Sequence, residues 1–206
     1  EEKRSALTKK AAAAASWSQI PDKRPVIAML AMGLLLTFAN MSIEPIITLY
    51  VGQLVDASRV IFVSGLTMAA AALGAILSAA RLGKLADRIG PWPVVIAAIT
   101  VSALLLIPQA FVTAGWQLVA LRFLMGLALG GLMPCVTSII RHSVPDAIVG
   151  RVLGYATSSN YVGQVAGPVL GGFVGGHIGM RAVFLGTALL MALGAVYAQI
   201  ARPRRV

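Results

Sequence analysis

Apolar residues in this chain do not fall into stripes. They run in six long, nearly unbroken segments with approximate limits 26–51, 60–80, 92–114, 117–140, 152–176 and 181–201. Each is long enough to cross a hydrocarbon core, which takes roughly 20 helical residues. Strands of a membrane barrel would alternate lipid-facing and lumen-facing residues over shorter stretches, and no such alternation is present. The pattern predicts an all-α integral membrane domain of six transmembrane helices over 26–201. A polar, charged linker over 1–25 precedes it and a basic tail over 202–206 follows. Each span contains glycine or proline, including Pro45, Pro108, Pro134 and Pro168. Kinked and closely packed helices are expected, because neighbours in a bundle can satisfy the carbonyls that proline frees.

Composition agrees with lipid as the solvent. The chain is 58% hydrophobic and 12% charged, where a soluble domain carries roughly a quarter charged residues. Position 1 is Glu, and the first 25 residues lack the apolar stretch of a signal peptide, so the numbering is expected to begin inside a longer protein. Cys135 is the single cysteine and lies in an apolar run, which excludes an intrachain disulfide and a cysteine-based zinc site. His142 and His177 are expected in loops and support no metal site, and no cofactor is called for.

The net charge of +10 changes the picture through its placement. Lys3, Arg4, Lys9, Lys10, Lys23, Arg24, Arg81, Lys84, Arg88, Arg141, Arg151, Arg202, Arg204 and Arg205 fall on one side of the expected topology, and only Arg59 and Arg181 on the other. Basic residues favour the cytoplasm, so both termini are expected there, which fits an even number of spans. The basic residues are not interleaved with exposed aromatic residues, and nucleic-acid binding is not expected.

Between the second and third spans the chain reads Arg81-Leu82-Gly83-Lys84-Leu85-Ala86-Asp87-Arg88-Ile89-Gly90-Pro91, expected as a tight, charged turn. There Gly83 would let the backbone approach a neighbour, Gly90 could take a positive φ, and Asp87 could pair with Arg88 or cap an adjacent helix. Any basic cytoplasmic turn could have such a composition. In the fourth span Arg122 precedes Gly126 and the pair Gly130-Gly131. In the fifth, Gly163-Gln164-Val165-Ala166-Gly167-Pro168-Val169-Leu170-Gly171-Gly172 puts Gly163 and Gly167 at a spacing that opens a groove for close helix contact, while Pro168 removes a backbone donor.

These stretches resemble signatures of the major facilitator superfamily. Gly83, Leu85, Ala86, Asp87, Arg88 and Gly90 are similar to its loop signature Gly-x-Leu-Ala-Asp-Arg-x-Gly, which joins the second and third helices of a six-helix half. The resemblance implies a part in switching between inward-open and outward-open states. Arg122 and Gly126 resemble the Arg-x-x-x-Gly signature of its drug and proton antiporters. Gly163, Gly167, Pro168, Gly171 and Gly172 resemble the antiporter signature Gly-x-x-x-Gly-Pro-x-x-Gly-Gly, and Gly179, Arg181 and Phe184 resemble the entry to the last helix of a half. Within the superfamily, Ser42 to Val51 and Arg81 to Pro91 most resemble MdtG-type multidrug efflux proteins.

The resemblance implies the carboxy-terminal six-helix half of a secondary active transporter rather than an enzyme. It implies proton-coupled efflux of drugs or small amphipathic molecules by alternating access, in a bacterial inner membrane. The partners implied are membrane lipids, a small-molecule substrate, protons and the missing amino-terminal half. A sugar or metabolite exporter of the same fold, or a non-transporting assembly or signalling subunit, stays open.

Glu44 is the only acidic residue inside an expected span, and an unpaired carboxylate there is costly or protonated. Arg122 enters from the opposite side of the membrane's basic face at a similar depth. In the family's architecture the first and fourth helices of a half face the central cavity, so the two are expected to interact, either as a titrating couple or as a permanent pair that fixes register. Asn40, Gln109, Tyr155, Asn160, Tyr161 and Gln164, with Phe38, Met41, Met125 and Met133, could line a broad apolar cavity or pack neighbouring helices.

Overall fold

The structure is a computed structural model that describes residue 20 and residues 22–202. Most of the expected linker, with Lys3, Arg4, Lys9 and Lys10, and the tail from 203 onward, with Arg204 and Arg205, lie outside the described residues. The elements are α1 (Arg24–Val51), a 3-10 turn (Ala57–Arg59), α2 (Val60–Ile89), α3 (Pro91–Gln109), α4 (Gly115–Leu129), α5 (Leu132–Ser143), α6 (Asp146–His177) and α7 (Met180–Ala201).

Two expected boundaries are corrected, each for a local reason. The stretch from Arg81 to Ile89 is not a turn. It continues α2, because its Arg, Leu, Lys and Ala residues are good helix formers. Only Gly90, at φ +90°, separates α2 from α3, and Pro91 then opens α3 where its missing N–H is harmless. The fourth span is not continuous either. It breaks between Leu129 and Leu132, at Gly130-Gly131. Pro134 has no N–H to offer the Gly130 carbonyl, and two successive glycines leave the helix at the least steric cost. Smaller shifts end α3 at Gln109 and start α6 at Asp146. Ahead of α4, the Gln117 side chain accepts hydrogen bonds from the backbone N–H of Thr113 (2.9 Å) and Ala114 (3.3 Å).

Among the described residues, five stretches are long and apolar enough to cross a membrane: Arg24–Val51, Ala57–Ile89, Pro91–Gln109, Gly115–Ser143 and Met180–Ala201. The remaining expected span lies in α6, the longest helix at 32 residues, and is diluted by Thr157, Ser158, Ser159, Asn160 and Gln164. Such a helix is poorly suited to lipid on all sides and needs protein along at least one of them. It packs along α1, while α2 packs along α4 and α3 joins α4 to α7.

Glycine makes the two closest pairings possible. A Cβ built on Gly163 would lie 2.6 Å from the Leu34 carbonyl, and one on Gly167 would lie 2.9 Å from that of Phe38; one on Gly171 would collide with the Ser42 backbone. Between α2 and α4 the same holds for Gly74 against Phe123, Gly126 against Ala71, and Gly130 against Ala75 and Ser78. Lipid gives no hydrophobic drive for helix association, so close backbone approach is the main attraction available. Buried hydroxyls add to it. Ser42 and Thr187 share a 3.3 Å hydrogen bond between α1 and α7, and the Tyr50 hydroxyl donates to the Gln109 carbonyl at 2.9 Å while its ring lies 5.0 Å from that of Phe184. Tyr50→Phe keeps the ring contact and removes the bond; thermal unfolding in detergent is expected to show a loss of about 1 kcal/mol.

Candidate functional site

A membrane domain that buries one side of a helix in its own bundle leaves the other for lipid, water or protein. In α1 the buried side is Leu36, Ile43, Ile47 and Tyr50. The uncovered side carries Thr37, Asn40, Glu44 and Thr48 at helical spacing, with Glu44 and Thr48 exposed. On α6, Ser158, Tyr161 and Gln164 are likewise exposed, and Tyr161 shows 59% of its surface. A carboxylate and a row of hydroxyl and amide groups at membrane depth call for water or protein beside them. Gly163, Gly167 and Gly171 hold α6 against α1 behind this surface; Pro168 is half-buried inside α6, and Gly172 faces open space.

The expected contact between Glu44 and Arg122 is not made. Arg122 is buried to 5% exposure on the face of α4 that also buries Leu118 and Met125, and its Nε and Nη2 have no hydrogen-bond partner. Glu44 is exposed on α1, and no ion pair joins the two. The reason is the packing: α1 pairs chiefly with α6, whereas α4 pairs with α2 and α3. A different polar neighbour emerges. Gln109 is fully buried, donates to the Leu105 carbonyl at 3.0 Å and to Met125 Sδ at 3.7 Å, and keeps its Oε1 unpaired.

Of the other cavity candidates, Met125 is buried, Asn160 sits against Gly33 with Oδ1 unpaired, and Tyr155 and Met133 are exposed. Phe38, Met41 and Asn40 are half-buried.

At the end of the bundle where Arg81, Lys84, Arg88 and Arg141 gather, a cleft of about 630 Å³ opens between α2, the start of α3 and α5. Gly83, Asp87 and Gly90 line it from one side, and Cys135, Ser138 and His142 from the other. Three expectations change here. Gly83 meets nothing within 4 Å, so it leaves room instead of permitting contact. Asp87 neither pairs with Arg88 nor caps a helix; it faces the cleft. His142 and His177 are in the last turns of α5 and α6, not in loops. Cys135, Ser138 and His142 recur at i, i+3 and i+7 of α5, a spacing that would have marked them as one face. His142 Nδ1 bonds the Ser138 carbonyl at 2.8 Å.

The family model of the Major Facilitator Superfamily matches residues 29–206. The chain belongs to the major facilitator superfamily. It is therefore a multi-pass membrane protein built as an all-α half bundle, from a superfamily of transporters and not of enzymes. Among its relatives is the multidrug resistance protein MdtG of Enterobacter lignolyticus (strain SCF1), 42% identical over 181 residues, which are 87% of this chain and 43% of that protein. The MdtG proteins of Salmonella dublin and Salmonella typhimurium are each 40% identical over 189 residues, 91% of this chain and 47% of theirs. The chain thus spans less than half the length of the relatives it matches.

Proposed function

We propose that this chain is the carboxy-terminal half of a proton-coupled exporter of drugs or small amphipathic molecules. In this reading it works in a bacterial inner membrane with its basic end in the cytoplasm, and it rocks against an amino-terminal half by alternating access. The observation that carries it is Glu44: an intramembrane carboxylate, uncovered and without an ion pair among the described residues, on a helix face bordered by hydroxyl and amide groups. With the other half drawn back that face is open, and with it closed the face is covered, so the surroundings of Glu44 differ between the two arrangements. A proton that binds one arrangement better than the other shifts the balance between them, which is the requirement for coupling. The cleft lined by Gly83, Asp87 and Gly90 serves as the switch at the cytoplasmic end, with open volume into which another element can move; Arg88, the remaining residue of the switch signature, lies on the same stretch of α2 but outside the cleft.

The test is efflux of a fluorescent lipophilic compound from cells making the complete protein, with wild type and Glu44→Gln at equal membrane abundance. The expected result is a tenfold or greater fall in pH-driven efflux, on the order of 1.4 kcal/mol or more in the coupled step, together with a loss of its pH dependence. Efflux with an unchanged pH profile would assign Glu44 to structure alone.

A further inference from the structure

On the side of α2 away from the switch cleft, a groove of about 180 Å³ runs between α2, α3 and α4. Leu82, Leu85 and Ile89 form one wall, and Pro93, Ala97 and Val101 the other. It is apolar throughout. The exposed strip of α3 continues beyond it to Leu104, which shows 61% of its surface. From Pro93 to Leu104 the helix rises roughly 16 Å at ~1.5 Å per residue, close to the depth of one leaflet of a hydrocarbon core ~30 Å thick.

Arg81 and Arg88 stand two turns apart on α2, with the exposed Leu85 between them at i+4. Neither makes an ion pair with a described residue. Asp87, the acid of this stretch, lines the cleft on the other side of the helix and leaves their charge uncompensated on the groove side. Two guanidinium forks flanking the end of an apolar furrow that runs on to Leu104 match one chemical object: a phosphate with a hydrocarbon chain attached.

We propose that this groove is a binding site for an anionic phospholipid. Its phosphate sits between Arg81 and Arg88, and one acyl chain lies along Leu85, Ala97, Val101 and Leu104. Planar guanidinium groups pair with phosphate oxygens through two parallel hydrogen bonds, and their long stems run along the apolar wall while the charged ends reach the headgroup level. A zwitterionic lipid carries a cationic headgroup that the same arginines repel, so the site selects for net negative charge. Free phosphate would engage the arginines but leave the groove unused.

The site rests on the membrane architecture and not on the efflux reading, so its test needs no transport. The protein, purified at its natural length in detergent, is titrated with dioleoyl phosphatidylglycerol or dioleoyl phosphatidylcholine, and bound lipid is counted by native mass spectrometry. Each basic residue near an anionic headgroup is worth about fivefold in affinity. Phosphatidylglycerol is therefore expected to bind roughly tenfold or more tightly than phosphatidylcholine. Arg81→Gln should lower that preference about fivefold, and Arg81→Gln with Arg88→Gln should abolish it, both at an unchanged lipid-free Tm. Ala97→Trp, which fills the groove from an exposed position, should weaken both lipids alike. A preference that survives the double arginine substitution overturns the proposal. Displacement of the lipid by inorganic phosphate at matched concentration also overturns it, because the ligand would then be the free anion.

Discussion

Replacing Gly126 by valine is expected to remove almost all correctly folded protein from the membrane. A Cβ at this position collides with the carbonyl and Cα of Ala71, which are backbone atoms of the neighbouring helix and cannot rotate away. The two helices would have to separate along their length, and Gly74 and Gly130 would lose their contacts in the same movement. Overpacking in a soluble core typically costs about 1–3 kcal/mol; a clash with backbone in the α2–α4 seam belongs at or above the upper end. Gly65→Ala is the matched control. Nothing lies within 4 Å of its Cβ, so removing a helical glycine should be neutral or stabilising by about 0.5–1 kcal/mol. Monodispersity in detergent and the yield of membrane-inserted protein read both. A well-folded Gly126→Val protein would show that the α2–α4 seam is far looser than its geometry.

The glycines also show what the sequence makes legible and what it does not. Spacing of four residues at Gly163, Gly167 and Gly171 announces a helix contact, and α1 supplies it. The same spacing cannot say which glycines face outward, and Gly172, next in the chain, meets nothing. Long apolar runs give the spans because hydrocarbon imposes a length. They lose precision where the chain leaves hydrocarbon without leaving the helix. From Arg81 to Ile89 the charges read as a turn, yet backbone hydrogen bonding continues through them. Glu44 and Arg122 illustrate a harder limit. Depth can be read from position along a helix, but whether two residues meet depends on which helices pair, and α1 pairs with α6. The groove beside Arg81 and Arg88 was equally hidden, since half of its wall comes from α3.

Arg122→Met is expected to make the protein more stable and less active at once. Arg122 is buried within this half, at 5% exposure, and its Nε and Nη2 find no acceptor among the described residues. An uncompensated buried charge is costly, and its exchange for an apolar side chain of similar volume is expected to stabilise by about 1–4 kcal/mol, the range for buried ion pairs replaced in the same way. Methionine matches the length and adapts to the space beside Leu118 and Met125. Thermal unfolding should therefore shift upward by roughly 5 °C, while pH-driven efflux falls tenfold or more. Retaining a destabilising cation makes physical sense if another arrangement of the bundle gives it a partner, and the unpaired Oε1 of Gln109 in the same sector is a ready acceptor. A cycle with Gln109→Leu separates the possibilities: if the two side chains act together in transport, the double variant should lose no more activity than Arg122→Met alone. A sharp fall in Tm for Arg122→Met would mean instead that the arginine is a structural anchor, and full activity would remove it from the transport cycle.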